Sequence, residues 1–325
     1  MIGNMIGNMI GNINNTMDKN TEDYWFKQCK YIFDSYHTMF NNFVYGNKEQ
    51  YKKKVVINNY RELYDFFSKK CENLYKTIQK NYDVWSLFLI GSIILCNGNL
   101  PFAILSLCYS YLINYIGHAW LHSEYTFYDV YSIPHCYHHK NDENFTYIVN
   151  IIAELSIALS NSIALKYIFK GFEYNPWQYL VNEWVTLFYY LIYTSVHYIN
   201  YTYLKVNNYH TKHHEMENSN FGPDIIDGLF DTKHHDTPEP EETTHLIPNI
   251  IASFFVIYIL KNIYTHLSVE NKVVWENAGF CFWFTLFIFL IFASAIMLKR
   301  QVDEKIEKYK LETVVSFVQP YNIIT

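Results

Sequence analysis

The stretch LPFAILSLCYSYLINYIGHAWLHSEYTFYDVYSIPHCYHHK, residues 100–140, decides how the chain is read. Residues 100–117 carry no charge. That length is close to the roughly 17–20 residues a helix needs to cross a hydrocarbon core. Five histidines then fall within positions 118–139. His118 and His122 are spaced H-x-x-x-H; His135, His138 and His139 are spaced H-x-x-H-H. On a helix, residues three and four apart share a face, with Cβ atoms about 5–6 Å apart. The first spacing offers two imidazoles to one ion. The second offers two or three, able to reach one metal or to bridge two. Pro134 stands where the first helical position of the second element falls, which suits its fixed φ and missing N–H.

The pattern returns further along. His197 follows alone at the end of another apolar run, and His210, His213 and His214 repeat H-x-x-H-H. His234 and His235 close a series that holds eleven of the 14 histidines. A lone histidine is ordinarily a polar core or surface residue. Two copies of H-x-x-H-H with H-x-x-x-H, each beside an apolar run, point to metal. Eight or nine imidazoles exceed what one tetrahedral ion needs and fit two five- or six-coordinate ions. Imidazole suits Fe, Zn, Cu or Ni, so the ligand set alone does not choose. The candidate ligands are His118, His122, His135, His138, His139, His197, His210, His213 and His214. All but His197 are also the candidate catalytic residues. His37, His245 and His266 read as ordinary residues; His234 and His235 stay outside the set.

Apolar runs pair along the chain. Residues 84–96 and 100–117 form a hairpin turning at Asn97-Gly98-Asn99. Runs 145–169 and 177–204 form a second pair, interrupted by Glu154, Lys166 and Glu183. Runs 246–264 and 274–298 form a third, and AGFCFWFTLFIFLIFASAIML (278–298) is its clearest span. The expected fold is all-α: an integral membrane bundle of four to six spanning or re-entrant helices, capped by a histidine-rich cytosolic region. Paired spans put every histidine cluster on the side of Lys299, Arg300 and the lysine-rich 48–80 stretch, and the positive-inside tendency makes that side the cytosol. The expected divisions are a leader at 1–20 and a polar, amphipathic helical region at 21–82. A histidine-bearing membrane domain at 83–245, a hydrophobic hairpin at 246–298 and a cytosolic tail at 299–325 complete them. In 21–82, Leu63, Phe66, Phe67 and Leu74 lie near one helical stripe.

Composition excludes some classes. Half of the residues are apolar and 19% aromatic, with a net charge of −6. A nucleic-acid binder normally shows a basic face, so no nucleic-acid partner is expected. Mean hydropathy is −0.09, an average over a mosaic of polar and apolar stretches. Six scattered cysteines show no C-x-x-C spacing and read as reduced thiols. The leader repeats M-I-G-N three times and lacks the form of a signal peptide.

HAWLH, PHCYHHK, the lone histidine of SVHYINY and NYHTKHH stand in the order that resembles the fatty acid hydroxylase/sterol desaturase superfamily of membrane di-iron oxygenases. The continuation HHEMENSNFGPDIIDGLFDT is similar too, with Asn220, Phe221, Gly222, Asp227, Phe230 and Thr232 at matching places. The likeness covers about 84–235. Asp231 stands where the family usually has Gly; Asn200 and Tyr201 fill a turn where some acyl hydroxylases have another histidine; Tyr209 stands where they often have one. The last two departures lean towards sterol-type members. The resemblance implies two iron ions, O₂ as co-substrate, and hydroxylation or desaturation of a sterol or fatty-acyl lipid within the bilayer. No H-P-G-G haem motif is present, so it also implies an external donor such as a b-type cytochrome and its NAD(P)H reductase. A eukaryotic setting would make the membrane the endoplasmic reticulum. Groups behind the ligands should orient the imidazoles through their other nitrogen. Of Glu124, Asp129, Glu183, Glu215, Asp224 and Asp227, only Asp227 is favoured over an ordinary role, and Cys136 reads as a packing residue. The rival readings are a non-catalytic membrane metal protein or inactive homologue, and a metal transporter. A transporter would want ionisable residues in mid-span, whereas here the histidines crowd the ends.

Overall fold

The computed structural model describes residues 19–45, 55–122, 129–141, 143–169, 181–216, 218–237 and 239–318. The leader up to residue 18, Glu124 and the tail beyond 318 lie outside them. Among the described residues the chain is helical and holds no strand. It divides into two compact units, residues 1–76 and 77–325.

The first unit is built on α1 (Lys19–Tyr45) and α2 (Tyr60–Lys80), the latter crossing its boundary. Asn59 starts α2. Its side chain accepts from Glu62 N at 2.9 Å, while Glu62 reaches back to the Asn58 backbone N–H at 2.8 Å. That exchange, a relative of the capping box, satisfies donors that a helix start leaves orphaned. Leu63 is buried with Phe33 and Ile57, and Phe66 packs against them. Phe67 is exposed, so the expected stripe is narrower than its four residues.

The second unit opens with the hairpin of α3 (Tyr82–Leu95) and α4 (Leu100–Leu121). Asn97 and Gly98 both take positive φ in the turn, and Asn99 caps α4 by accepting from Phe102 N. The hairpin turns where the sequence placed it. Next come α5 (Ser132–His138) and α6 (Asn144–Leu159), which runs through a π-helical turn (Ser160–Ala164) into α7 (Leu165–Phe169). Pro134 is the third residue of α5 rather than its first. Then α8 (Glu183–Ser195), capped by the Asn182 side chain, continues as a π-helical segment (Val196–Tyr203). Two short helices, α9 (Tyr209–Glu215) and α10 (Asp224–Phe230), precede α11 (Ile247–His266) and the 50-residue α12 (Val269–Val318). Among the described residues, three segments are long and apolar enough to cross a membrane: Leu100–Leu121, Thr244–His266 and Val269–Lys310. α3 is apolar but only 14 residues long.

Charges that interrupt the weaker runs have local explanations. Glu183 lies in the first turn of α8 and pairs with Lys166 at 2.9 Å. Glu154 is buried and faces the histidines rather than lipid. The C-terminal helices clamp the histidine-bearing ones. Ile250 and Ile257 of α11 join Val84, Phe88, Val185 and Phe188 in one cluster. Leu290, Ala293 and Met297 of α12 join Ile133, Tyr137, Val149 and Ala153 in another. Lipid tails are as apolar as leucine, so such packing relies on close fit and interhelical hydrogen bonds. Trp283 Nε1 donating to Ser160 Oγ at 2.7 Å, and Ser294 Oγ to the Val130 carbonyl at 3.1 Å, supply them for α12.

Candidate metal centre

Four helical pieces converge at one end of α4. His118 lies in the last turn of α4 and His122 caps it. α5 carries His135 and His138, with His139 at its C-cap. The π-helical continuation of α8 carries His197. α9 carries His210, His213 and His214.

The nine expected histidines sort into two groups. In each, one nitrogen or other ligand atom per residue lies within 4.8 Å of the rest. His118, His122, His135, His139 and His213 form one; His138, His197, His210 and His214 form the other. Each H-x-x-H-H motif divides between them. His135 and His139, four apart, go to the first group and His138 to the second; His210 and His214 go to the second and His213 to the first. The groups abut: the His139 and His214 rings stack with centroids 4.1 Å apart. Spacing left one ion or two open; the side chains themselves lie in two adjoining clusters.

The donor set fits metal. Burial, with the added repulsion of neighbouring histidines, holds His135, His138, His139, His210 and His213 below the usual histidine range. They are therefore neutral and present lone pairs near pH 7. Both ring nitrogens of His138 and His139, and Nε2 of His118 and His197, are buried without a hydrogen-bond partner. Each such orphan costs about 1–3 kcal/mol, so an arrangement with this many needs a ligand. His122 Nε2 lies 2.9 Å from His135 Nε2 and 3.1 Å from His213 Nε2. His214 Nε2 lies 2.9 Å from His210 Nε2. Imidazoles turned nitrogen-to-nitrogen at this spacing converge on a common point that a cation would occupy.

Nδ1 of His118, His213 and His197 is tied down. His118 Nδ1 donates to the Phe221 carbonyl and His213 Nδ1 to the Ser219 carbonyl, each at 2.6 Å. His197 Nδ1 donates to Glu154 Oε1 at 2.5 Å. Each bond sets the tautomer and turns Nε2 towards its cluster. Asp227 acts one step further out. Its carboxylate accepts from Phe221 N, Gly222 N and the Thr232 hydroxyl at 3.0, 2.7 and 2.7 Å. It thereby holds the turn whose carbonyl holds His118. Burial pushes the Asp227 carboxyl up to about 7, against the Thr232 and Gly222 donors that favour its charged form. Asp231, in the place of the usual glycine, ends α10 with φ 60°, a conformation glycine takes freely and aspartate tolerates.

Glu154 was read in the sequence only as a charge breaking an apolar run. The available signal was a carboxylate flanked by apolar residues, which a bundle interior tolerates only with a partner. The other carboxylates have ordinary roles: Asp129 caps α5, Glu215 pairs with Lys212, and Asp224 pairs with Lys233. Cys136 is a buried thiol. Tyr201, in the turn where some relatives have histidine, stacks on His210 and donates to Glu241 at 2.8 Å. His234 and His235 stand apart with Asp236, which Lys212 approaches to 3.3 Å. His37 pairs with Asn41, and His245 and His266 with nearby carbonyls.

Among the described residues, two cavities reach the clusters. One of about 270 Å³ lies between α4, α6 and α8 and meets His118, His135 and Glu154. The other, of about 140 Å³, meets His118, His197 and His210.

Residues 103–232 match the family model described as fatty acid hydroxylase, inside the 84–235 stretch that carries the sequence resemblance. Neither a curated protein nor a solved structure matches the chain.

Proposed function

With residues 103–232 forming a fatty acid hydroxylase domain of the fatty acid hydroxylase/sterol desaturase superfamily, we propose that the chain is a membrane-bound, O₂-dependent lipid hydroxylase or desaturase. The observation that carries this reading is the sorting of nine histidines into two adjoining clusters of five and four. His118, His122, His135, His139 and His213 would hold one iron; His138, His197, His210 and His214 would hold the other. When bound, the pair supplies activation of O₂ and removal of hydrogen from an unactivated C–H bond.

The chain's own residues do the rest. Phe221, Ser219 and Glu154 keep His118, His213 and His197 turned inward. Asp227 keeps the turn at 221–222 in place. Packing of α12 on α5 and α6 closes the bundle around the site. The cavities, lined mostly by apolar side chains, offer a lipid chain a way to the histidines. Electrons come from an external donor, a b-type cytochrome with its NAD(P)H reductase, on the cytosolic side. Arg300, just past the apolar part of α12, reaches Glu143 in the first turns after His139 at 3.3 Å. That pair supports a basic, cytosol-facing side for the histidines; in a eukaryotic cell the membrane would be that of the endoplasmic reticulum. The assignment gives the chemistry to residues 83–245 and a supporting role to the hairpin 246–298.

The test supplies iron-loaded protein in lipid vesicles with O₂ and a reducing system. Substrate lipids that gain one oxygen or lose two hydrogens support the reading. Stoichiometric zinc, no O₂ consumption and unaltered lipids would instead indicate a non-catalytic metal protein.

A further inference from the structure

Helix α1 has three faces where a simple amphipathic helix has two. Successive residues turn by about 100°. On one face Phe26 and Phe33 pack with Ile57 and Leu63 in the core of the first unit. A second face carries the ion pairs Asp23–Lys27 and Lys30–Asp34, at 2.7 and 3.0 Å. Trp25, Cys29, Ile32, Tyr36 and Met39 form the third, an arc of about 80° roughly opposite the ion pairs. All five are exposed, Ile32 by 66% and Met39 by 65%. Single exposed apolar residues are ordinary, whereas a contiguous stripe about four turns long marks a docking surface.

Two further observations name the occupant. The first is charge. Residues 1–76 hold eleven lysines and arginines against eight acidic residues, a net charge of +3, in a chain whose total is −6. Residues 77–325 therefore carry −9, and the unit with the stripe is the basic part of an acidic chain. The second is attachment. Only Asn81 separates α2 from α3, the first arm of the hairpin whose second arm, α4, is long and apolar enough to cross a membrane. The first unit is thus tethered within reach of a bilayer.

We propose that the first unit docks on an anionic bilayer surface through the Trp25–Met39 stripe of α1. The stripe lies among the headgroups and the Asp23–Lys27 and Lys30–Asp34 face turns to water. Its chemistry suits that place. Tryptophan and tyrosine rings settle at the level of the headgroups. Ile32 and Met39 supply the apolar contact by which an interfacial helix holds to lipid. The surplus lysines of the unit, concentrated after residue 47, draw it to negative headgroups. The inference needs the chain to be a membrane protein and nothing of its metal or oxygen chemistry. It can therefore fail while the lipid-oxidising reading stands, and the reverse.

The test uses the full chain, one copy per nanodisc, in phosphatidylcholine alone or mixed with phosphatidylserine. Native Cys29 reports on the stripe, and Lys27→Cys places a reference thiol on the charged face of the same helix. Reaction with an uncharged, water-soluble maleimide is read at each position by peptide mass spectrometry. Each basic residue near an anionic surface strengthens docking about fivefold. In the mixed bilayer Cys29 should therefore react at least about tenfold more slowly than position 27. Omitting phosphatidylserine, or raising salt so that the attraction is screened, should shrink the difference several-fold. Ile32→Glu with Met39→Glu, at exposed positions outside the core, should restore Cys29 reactivity in the mixed bilayer. Equal rates at the two positions in the mixed bilayer would overturn the proposal, as would protection that survives the two substitutions. Protection indifferent to lipid charge and salt would also overturn it, and would mark the stripe as covered by protein.

Discussion

His197 Nδ1 donates to Glu154 Oε1 at 2.5 Å, a bond between residues 43 apart in the chain. It joins a lone histidine, without a motif partner, to a charge inside an apolar helix. Partners of this kind typically change metal affinity ten- to a hundredfold when lost. Glu154→Ala should weaken the ion held by His138, His197, His210 and His214 by about that factor and leave the five-histidine cluster nearly unchanged. Chelator competition, read as two separate affinities, checks this. Equal weakening of both ions would show that Glu154 acts on the fold rather than on His197.

Asp227 supports the other cluster through the backbone. Asp227→Ala leaves two buried N–H groups and a hydroxyl without their acceptor. Each costs about 1–3 kcal/mol. A loss of about 3 kcal/mol or more is expected in detergent-solubilised protein, seen as a lowered melting midpoint. The site should also lose metal at the cluster containing His118. Unchanged stability would contradict the role given to the 221–222 turn.

Asp231 is the opposite case. Its left-handed backbone, φ 60°, costs a non-glycine residue roughly 1 kcal/mol. Asp231→Gly should therefore stabilise the protein by up to about 1 kcal/mol, a rise of about 2 °C in Tm. A fall in Tm would mean that the Asp231 side chain contributes more than its backbone loses.

How much of this was legible in the chain follows from the range of each interaction. The histidine motifs are local, so their spacing was enough to pick out candidate ligands, as the apolar runs were enough to point to an all-α chain. The hairpin at Asn97-Gly98-Asn99 was legible for the same reason. The division of each H-x-x-H-H between two clusters was not, because it depends on how α5 and α9 face each other. Glu154 was misread because hydropathy registers a charge and not its partner. The packing of α12 on α5 and α6 was equally hidden: Leu290 and Tyr137 meet only in the fold.

Acid should unfold the metal-free protein early. Burial holds His135, His138, His139, His210 and His213 below the usual range, so the folded form resists protonation that the unfolded chain accepts near pH 6.5. Between those values the unfolded state binds more protons, and stability falls as pH falls. The loss approaches about 1.4 kcal/mol per pH unit for each such histidine. Melting of stripped protein between pH 7 and pH 5 should therefore drop steeply, and flatten above pH 7. A flat profile through that window would show the histidines to be solvated.

The central claim is that the nine histidines build two metal sites, and metal content tests it most directly. Protein purified with iron supplied is analysed beside His122→Ala, from the five-histidine cluster, His197→Ala, from the other, and the double variant. The account predicts about two irons per chain in wild type, about one in each single variant, and essentially none in the double variant. Less than one metal per chain in wild type, or a content that neither substitution changes, would contradict it.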